Sequence, residues 1–149
     1  MKLGDYLEKN FVLFNLASDT KSEALTELLA PIGEAYPEMD TDQAVRVLLE
    51  RESLGTTGIG DGIAIPHGKL ENIEKVVIAV GRSLQGVEFE ALDHKPCSIF
   101  FLVLAPENSA GMHLRILAQI SRILKDEAFR KRFIETESHD ELWQLLQDV

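Results

Sequence analysis

The chain has 149 residues, 45% of them hydrophobic and 27% charged, which suits one soluble globular domain long enough to bury a core. Its formal net charge of −10 opposes nucleic-acid phosphates and leaves a partner with a basic face admissible. No apolar run, the longest being Ile99 to Ala105, nears the roughly 20 residues of a membrane span; the opening MKLGDYLEKN has acidic residues where a signal peptide has its apolar core, so a cytoplasmic location is expected.

In chain order, Phe11 to Leu16 is apolar enough for a first strand. Thr20 followed by Glu23 makes a capping-box pattern. It predicts a helix with Ala24, Leu25, Leu28, Leu29 and Ile32 on its apolar face, ending before Pro37. Asp40 with Gln43 opens a second helix, through Val45, Leu48 and Leu49 to about Glu52. Ile63 to Ile65 predicts a short strand. Val76 to Val80 and Cys97 to Leu104 are near-continuous apolar runs, which read as strands covered on both faces. Gly111 to Lys125 predicts a long helix burying Leu114, Ile116, Leu117, Ile120, Ile123 and Leu124. The basic run Arg130-Lys131-Arg132 lies among Glu127 and Glu135, as on a solvated helix face. Ser138 with Glu141 opens the last helix, carrying Leu142, Leu145 and Leu146. This order predicts an α/β fold: one domain over residues 1–149, a mixed β-sheet flanked by helices on both faces. It lacks the regular βα alternation of a Rossmann fold. The sole cysteine, Cys97, excludes an intramolecular disulfide and reads as a buried thiol.

The stretch GTTGIGDGIAIPHGKL, Gly55 to Leu70, gathers five of the ten glycines and ends beside His67. It is no P-loop: Gly62 to Lys69 has one residue too many, contains Pro66, and puts Leu70 where a hydroxyl belongs. Gly58, Gly60 and Gly62 follow a helix and miss the third spacing of a dinucleotide fingerprint, and no G-x-S-x-G occurs. His67, His94, His113 and His139 show no metal-ligand spacing, so neither metal nor cofactor is expected. Two readings stay open on the residues alone. One is a tight turn that happens to contain a histidine. The other is a rigid, exposed imidazole among accessible backbone amides, which suits a phosphoryl group carried on the ring.

Arg51-Glu52-Ser53 followed by GTTGIGDGIAIPHGKL resembles the enzyme IIA domains of the bacterial phosphoenolpyruvate-dependent phosphotransferase system. The likeness is to the mannitol/fructose class, nearest its nitrogen-regulatory branch, and runs from KLGDYL to the SHDELWQLL helix. It implies a mixed sheet flanked by helices and an acceptor histidine, His67, phosphorylated at Nε2 by the histidine-containing phosphocarrier protein. It also implies that Arg51 lies beside the phosphohistidine and that His113 is a second active-site histidine. Read by themselves, Arg51 is a cation favoured in the last turn of a helix, and His113 falls on the apolar side of its helix with Ile116 and Leu117. Asp61 and Thr57 are expected to shape the loop; His94 and His139 are expected to be exposed. The function expected is a regulatory phosphocarrier, favoured by the lack of IIB or IIC segments within these residues. The alternatives are a sugar-transport IIA subunit passing phosphate to a IIB protein, and a binding module whose His67 is never phosphorylated.

Overall fold

The run CSIFFLVLAP becomes the central strand of the molecule, β6 (Cys97–Pro106), in a computed structural model that describes residues 2–149. On one side β6 pairs antiparallel with β5 (Val77–Val87), from Val77 opposite Leu104 to Arg82 opposite Ile99. On the other side two short strands follow each other along its length. They are β3 (Ile63–Ala64), parallel to Ile99 and Phe100, and β4 (His67–Leu70), parallel to Val103 through Pro106. Pro66 lies between them, and its carbonyl still accepts from the Val103 amide at 2.9 Å, so the ladder crosses the proline. β1 (Val12–Leu13) joins the free edge of β5 in parallel, and β2 (Gly58–Gly60) runs antiparallel to β3. The sheet order is β1-β5-β6-β3-β2, with β4 also on β6.

Because side chains alternate along a strand, β6 serves two cores at once. Phe100, Leu102 and Leu104 pack under α1 (Lys21–Ala35) and α2 (Thr41–Ser53), against Leu25, Leu28, Leu29, Ile32 and Leu48. Ile99, Phe101 and Val103 face α3 (Ala110–Leu124), α4 (Glu127–Glu135) and α5 (His139–Gln147), against Ile116, Ile120, Phe129, Phe133, Leu142 and Leu146. The expected mixed sheet with helices on both faces is therefore present. No helix among the described residues is long and apolar enough to cross a membrane.

The helix starts follow their capping residues. Thr20 Oγ1 accepts from the Glu23 amide while Glu23 Oε1 accepts from the Thr20 amide, and Asp40 and Ser138 accept from the amides of Gln43 and Glu141. The strands depart from expectation. The predicted Phe11–Leu16 strand shrinks to Val12–Leu13, because Lys9–Phe11 turns as a 3₁₀ helix and the ladder with β5 covers two residues, beyond which the Leu16 amide donates to the Arg82 carbonyl (2.8 Å). β5 continues past Val80 to Val87 through Arg82, a polar residue that ends the apolar run in sequence yet is only 2% exposed. Its guanidinium donates to the carbonyls of Phe14 (3.0 Å), Ile134 (3.0 Å) and Thr136 (2.6 Å) and to Asn15 Oδ1 (3.1 Å).

Candidate active site

The glycine-rich stretch folds as β2, a tight turn, β3, a break at Ile65-Pro66, and β4. Gly60, Asp61 and Gly62 all have positive φ (104°, 56° and 75°), a run of left-handed conformations that only glycine, or a short polar residue such as aspartate, holds at low cost. Farther on, a Cβ at Gly68 would lie 2.7 Å from Val47 Cγ1, so this glycine lets α2 press against β4.

His67 is the first residue of β4, half-buried, opposite Val103. Its Nδ1 lies 2.8 Å from the Ile65 carbonyl oxygen. A carbonyl can only accept, so Nδ1 carries the proton and the lone pair of the neutral ring is on Nε2. The next strand, β6, runs into α3 through the turn at Ser109, whose hydroxyl donates to the Pro106 carbonyl (2.8 Å). That turn places His113 in the first turn of α3, its ring centroid 5.6 Å from that of His67 with 57° between the planes. His113 is buried, and its Nδ1 has no hydrogen-bond partner. Burial chiefly, with repulsion from Lys69 and from any proton taken up by His67 adding to it, pushes the His113 pKa down and favours the neutral ring. A buried polar atom costs about 1–3 kcal/mol unless a water or ligand atom satisfies it.

Arg51 stands in the last turn of α2, one helical turn beyond Val47. Its Nη1 donates to the Gly55 carbonyl at 2.9 Å and so closes the helix end. The fold thus brings His67 and His113 together, while the hydrogen bond described for Arg51 is the helix-terminal one. Asp61 and Thr57 shape the loop, Asp61 in the turn and Thr57 buried before β2. His94 is exposed as expected. His139 is not: it is half-buried, with Nε2 2.9 Å from the Val12 carbonyl, because β1 runs past the start of α5. Cys97 is fully buried, with burial and then Asp93 and Glu52 pushing its pKa up to about 12.

Sequence reasoning assigned Glu52 no role. It is 6% exposed and accepts from the Thr57 amide (3.0 Å) and hydroxyl, with Lys21 Nζ at 3.3 Å. A signal was available: a carboxylate in the last turn of a helix opposes the helix dipole, so something else must hold it. A cleft of about 540 Å³, lined by Asp5, Glu8, Glu74, Lys75 and Met112 among others, includes neither His67 nor His113.

Residues 5–149 match the family described as "Phosphoenolpyruvate-dependent sugar phosphotransferase system, EIIA 2". A nitrogen regulatory protein of Bradyrhizobium diazoefficiens is 40% identical over 133 residues, covering 89% of this chain and 86% of that protein. The fructose-specific EIIABC component of Bacillus subtilis is 36% identical over 140 residues, 94% of this chain but only 22% of that longer protein. Among solved structures, the nitrogen regulatory protein IIA-Ntr from Neisseria meningitidis superposes with a TM-score of 0.87 at 28% identity, covering 97% of this chain and 98% of that one. The mannitol enzyme IIA of Escherichia coli, solved in complex with phosphorylated enzyme IIB, gives 0.74 at 26% identity, covering 96% and 98%.

Proposed function

The chain belongs to the EIIA 2 family of the phosphoenolpyruvate-dependent sugar phosphotransferase system, and from that membership we propose that it is a phosphohistidine carrier whose acceptor is Nε2 of His67. The observation that supports this most is the contact of His67 Nδ1 with the Ile65 carbonyl, which leaves Nε2 as the free nucleophile beside a neutral second imidazole. In the reaction, the Nε2 lone pair attacks the phosphorus of a phosphohistidine on the histidine-containing phosphocarrier protein. The N–P bond to the donor breaks, and the donor imidazole leaves with the bonding pair. Positioning and neutralisation of the equatorial oxygens carry such a transfer, so no metal or cofactor enters the scheme. His113, held neutral by burial, supplies an imidazole N–H to a phosphoryl oxygen. Arg51 keeps further guanidinium N–H groups for the phosphoryl oxygens while one holds Gly55.

The role we favour is regulatory, in the cytoplasm, with the phosphorylation state of His67 controlling partner proteins. The 40% identity to a nitrogen regulatory protein and the TM-score of 0.87 to IIA-Ntr support it. The second reading, passage of the phosphoryl group to a IIB protein during sugar uptake, draws on the mannitol IIA–IIB complex and the fructose-specific relative. Incubation with phosphoenolpyruvate, enzyme I and the phosphocarrier protein should add one acid-labile, base-stable phosphoryl group, read by intact mass. Full labelling of His67→Ala would overturn the assignment. Rapid discharge of the phosphorylated chain onto a fructose or mannitol IIB protein would favour transport over regulation.

A further inference from the structure

The nucleophile's geometry depends on a carbonyl, and that carbonyl is itself held in place. The Ile65 residue that accepts from His67 Nδ1 (2.8 Å) donates its own amide to the Thr57 carbonyl at 3.1 Å. Thr57 in turn donates its amide (3.0 Å) and its hydroxyl to the Glu52 carboxylate. Lys21, the first residue of α1, closes the series with Nζ 3.3 Å from Glu52 and 5.0 Å from the centre of the Phe89 ring. Every link from the imidazole to the carboxylate runs one way, each N–H pointing toward Glu52. Ile65 and Thr57 are therefore each tied on two sides, one through the amide and one through the carbonyl. The Glu52 and Lys21 side chains are 2% and 12% exposed. A desolvated ion pair of this kind is a weak source of stability and is better explained by what it orients.

We propose that Glu52, compensated by Lys21, is a positioning residue for His67: through Thr57 and Ile65 it fixes the carbonyl that selects the Nδ1–H tautomer. This rests on the reading of His67 as phosphoryl acceptor, but the tautomer is measurable without any phosphoryl transfer. Removing the carboxylate leaves the two Thr57 donors unmatched and Lys21 without its buried partner. The Ile65 carbonyl then loses its fixed direction, and the imidazole its single protonation pattern. Loss of alignment on this scale costs about 10–100-fold in transfer rate.

The test uses the full chain with ¹⁵N-labelled histidine. Long-range proton–nitrogen NMR at alkaline pH, where imidazoles are neutral, reads the tautomer of His67. Wild-type protein should show a protonated Nδ1 and an unprotonated Nε2. In Glu52→Ala the two nitrogen signals should converge toward a mixture, with single-turnover labelling of His67 slowed by about 10–100-fold. Glu52→Gln keeps one acceptor oxygen but turns an NH₂ toward Lys21 or Thr57, so its signals should move part of the way and its rate fall less. Wild-type nitrogen signals in either variant, with a cooperative melt showing that it is folded, would overturn the proposal. Should Glu52→Ala fail to fold, Glu52→Gln decides alone. If wild-type chain accepts no phosphoryl group, the acceptor reading fails while the nitrogen signals still decide the positioning role.

Discussion

At the scale of single residues, His113 carries a cost that can be read as a pH dependence. Its pKa is lowered in the fold, chiefly by burial, whereas an unfolded histidine titrates near 6.5. Below about pH 6.5 the unfolded chain takes up a proton that the folded chain refuses, so stability falls with acidification and is level above that pH. His113→Gln should flatten the stability curve between about pH 7 and pH 5, measured as urea midpoints across the range. Glu23 and Asp140 act with the same sign but in a more acidic window, since hydrogen bonds from Thr20 and Lys9 lower their carboxyl pKa values. Their contributions are present at neutral pH and are lost only at more acidic values, which keeps the two windows apart. The setting of His67 was legible because its signal is local: the crowding of glycine and proline around it lies within one stretch. His113 was not legible in that way, since its spacing reads as a core position and only the family resemblance singled it out. Glu52 was not legible, because its meaning comes from Lys21 on another helix and from the chain's return at Thr57. The exposure expected for His139 failed for the same reason: its partner, the Val12 carbonyl, lies at the other end of the sequence.

Among the elements, β4 shows how a strand forms against its own composition. HGKL has one apolar residue and no alternation, and sequence alone ends the glycine-rich stretch there without pairing it. The carbonyls and amides of β6 supply the ladder, and tertiary pairing outweighs propensity. β2 arises in the same way from Gly58–Gly60. The spans of α1, α2, α3 and α5 were legible to within a residue or two from capping pairs and 3.6-residue periodicity, but α3 starts without a side-chain cap, and Leu114, expected in its buried set, is 65% exposed. The seam between α2 and β4 depends on Gly68. Gly68→Ala should cost about 1–3 kcal/mol, because its Cβ would meet Val47 Cγ1 at 2.7 Å and the helix must back away. Val47→Ala in the same chain should restore most of that loss. Chemical denaturation of the two single variants and the double variant measures the coupling.

Across the whole molecule, Arg82 fastens three parts of the chain that are distant in sequence: β5, the Phe14-Asn15 segment and the end of α4. Burial lowers its pKa, and its hydrogen bonds go mainly to backbone carbonyls. Arg82→Ala should destabilise the fold by about 3 kcal/mol or more, since several buried carbonyls lose a charged donor together. Arg82→Lys should recover only part of this, because an ammonium cannot span the same carbonyls as a planar fork. Denaturant midpoints of the two variants test the order. A different consequence follows from β6, which supplies alternate side chains to both cores. Neither helical layer can come away without exposing one apolar face of the strand whose backbone the two layers share. Amide deuterium uptake should therefore be slowest over Phe100–Leu104. The opening free energies of those amides should converge on one value, equal to the global unfolding free energy from denaturant. Amides in the Gly60–Gly62 turn, outside that shared strand, should exchange orders of magnitude sooner. Peptide-resolved exchange would then measure in one experiment both the stability of the whole protein and the local freedom of the loop before His67.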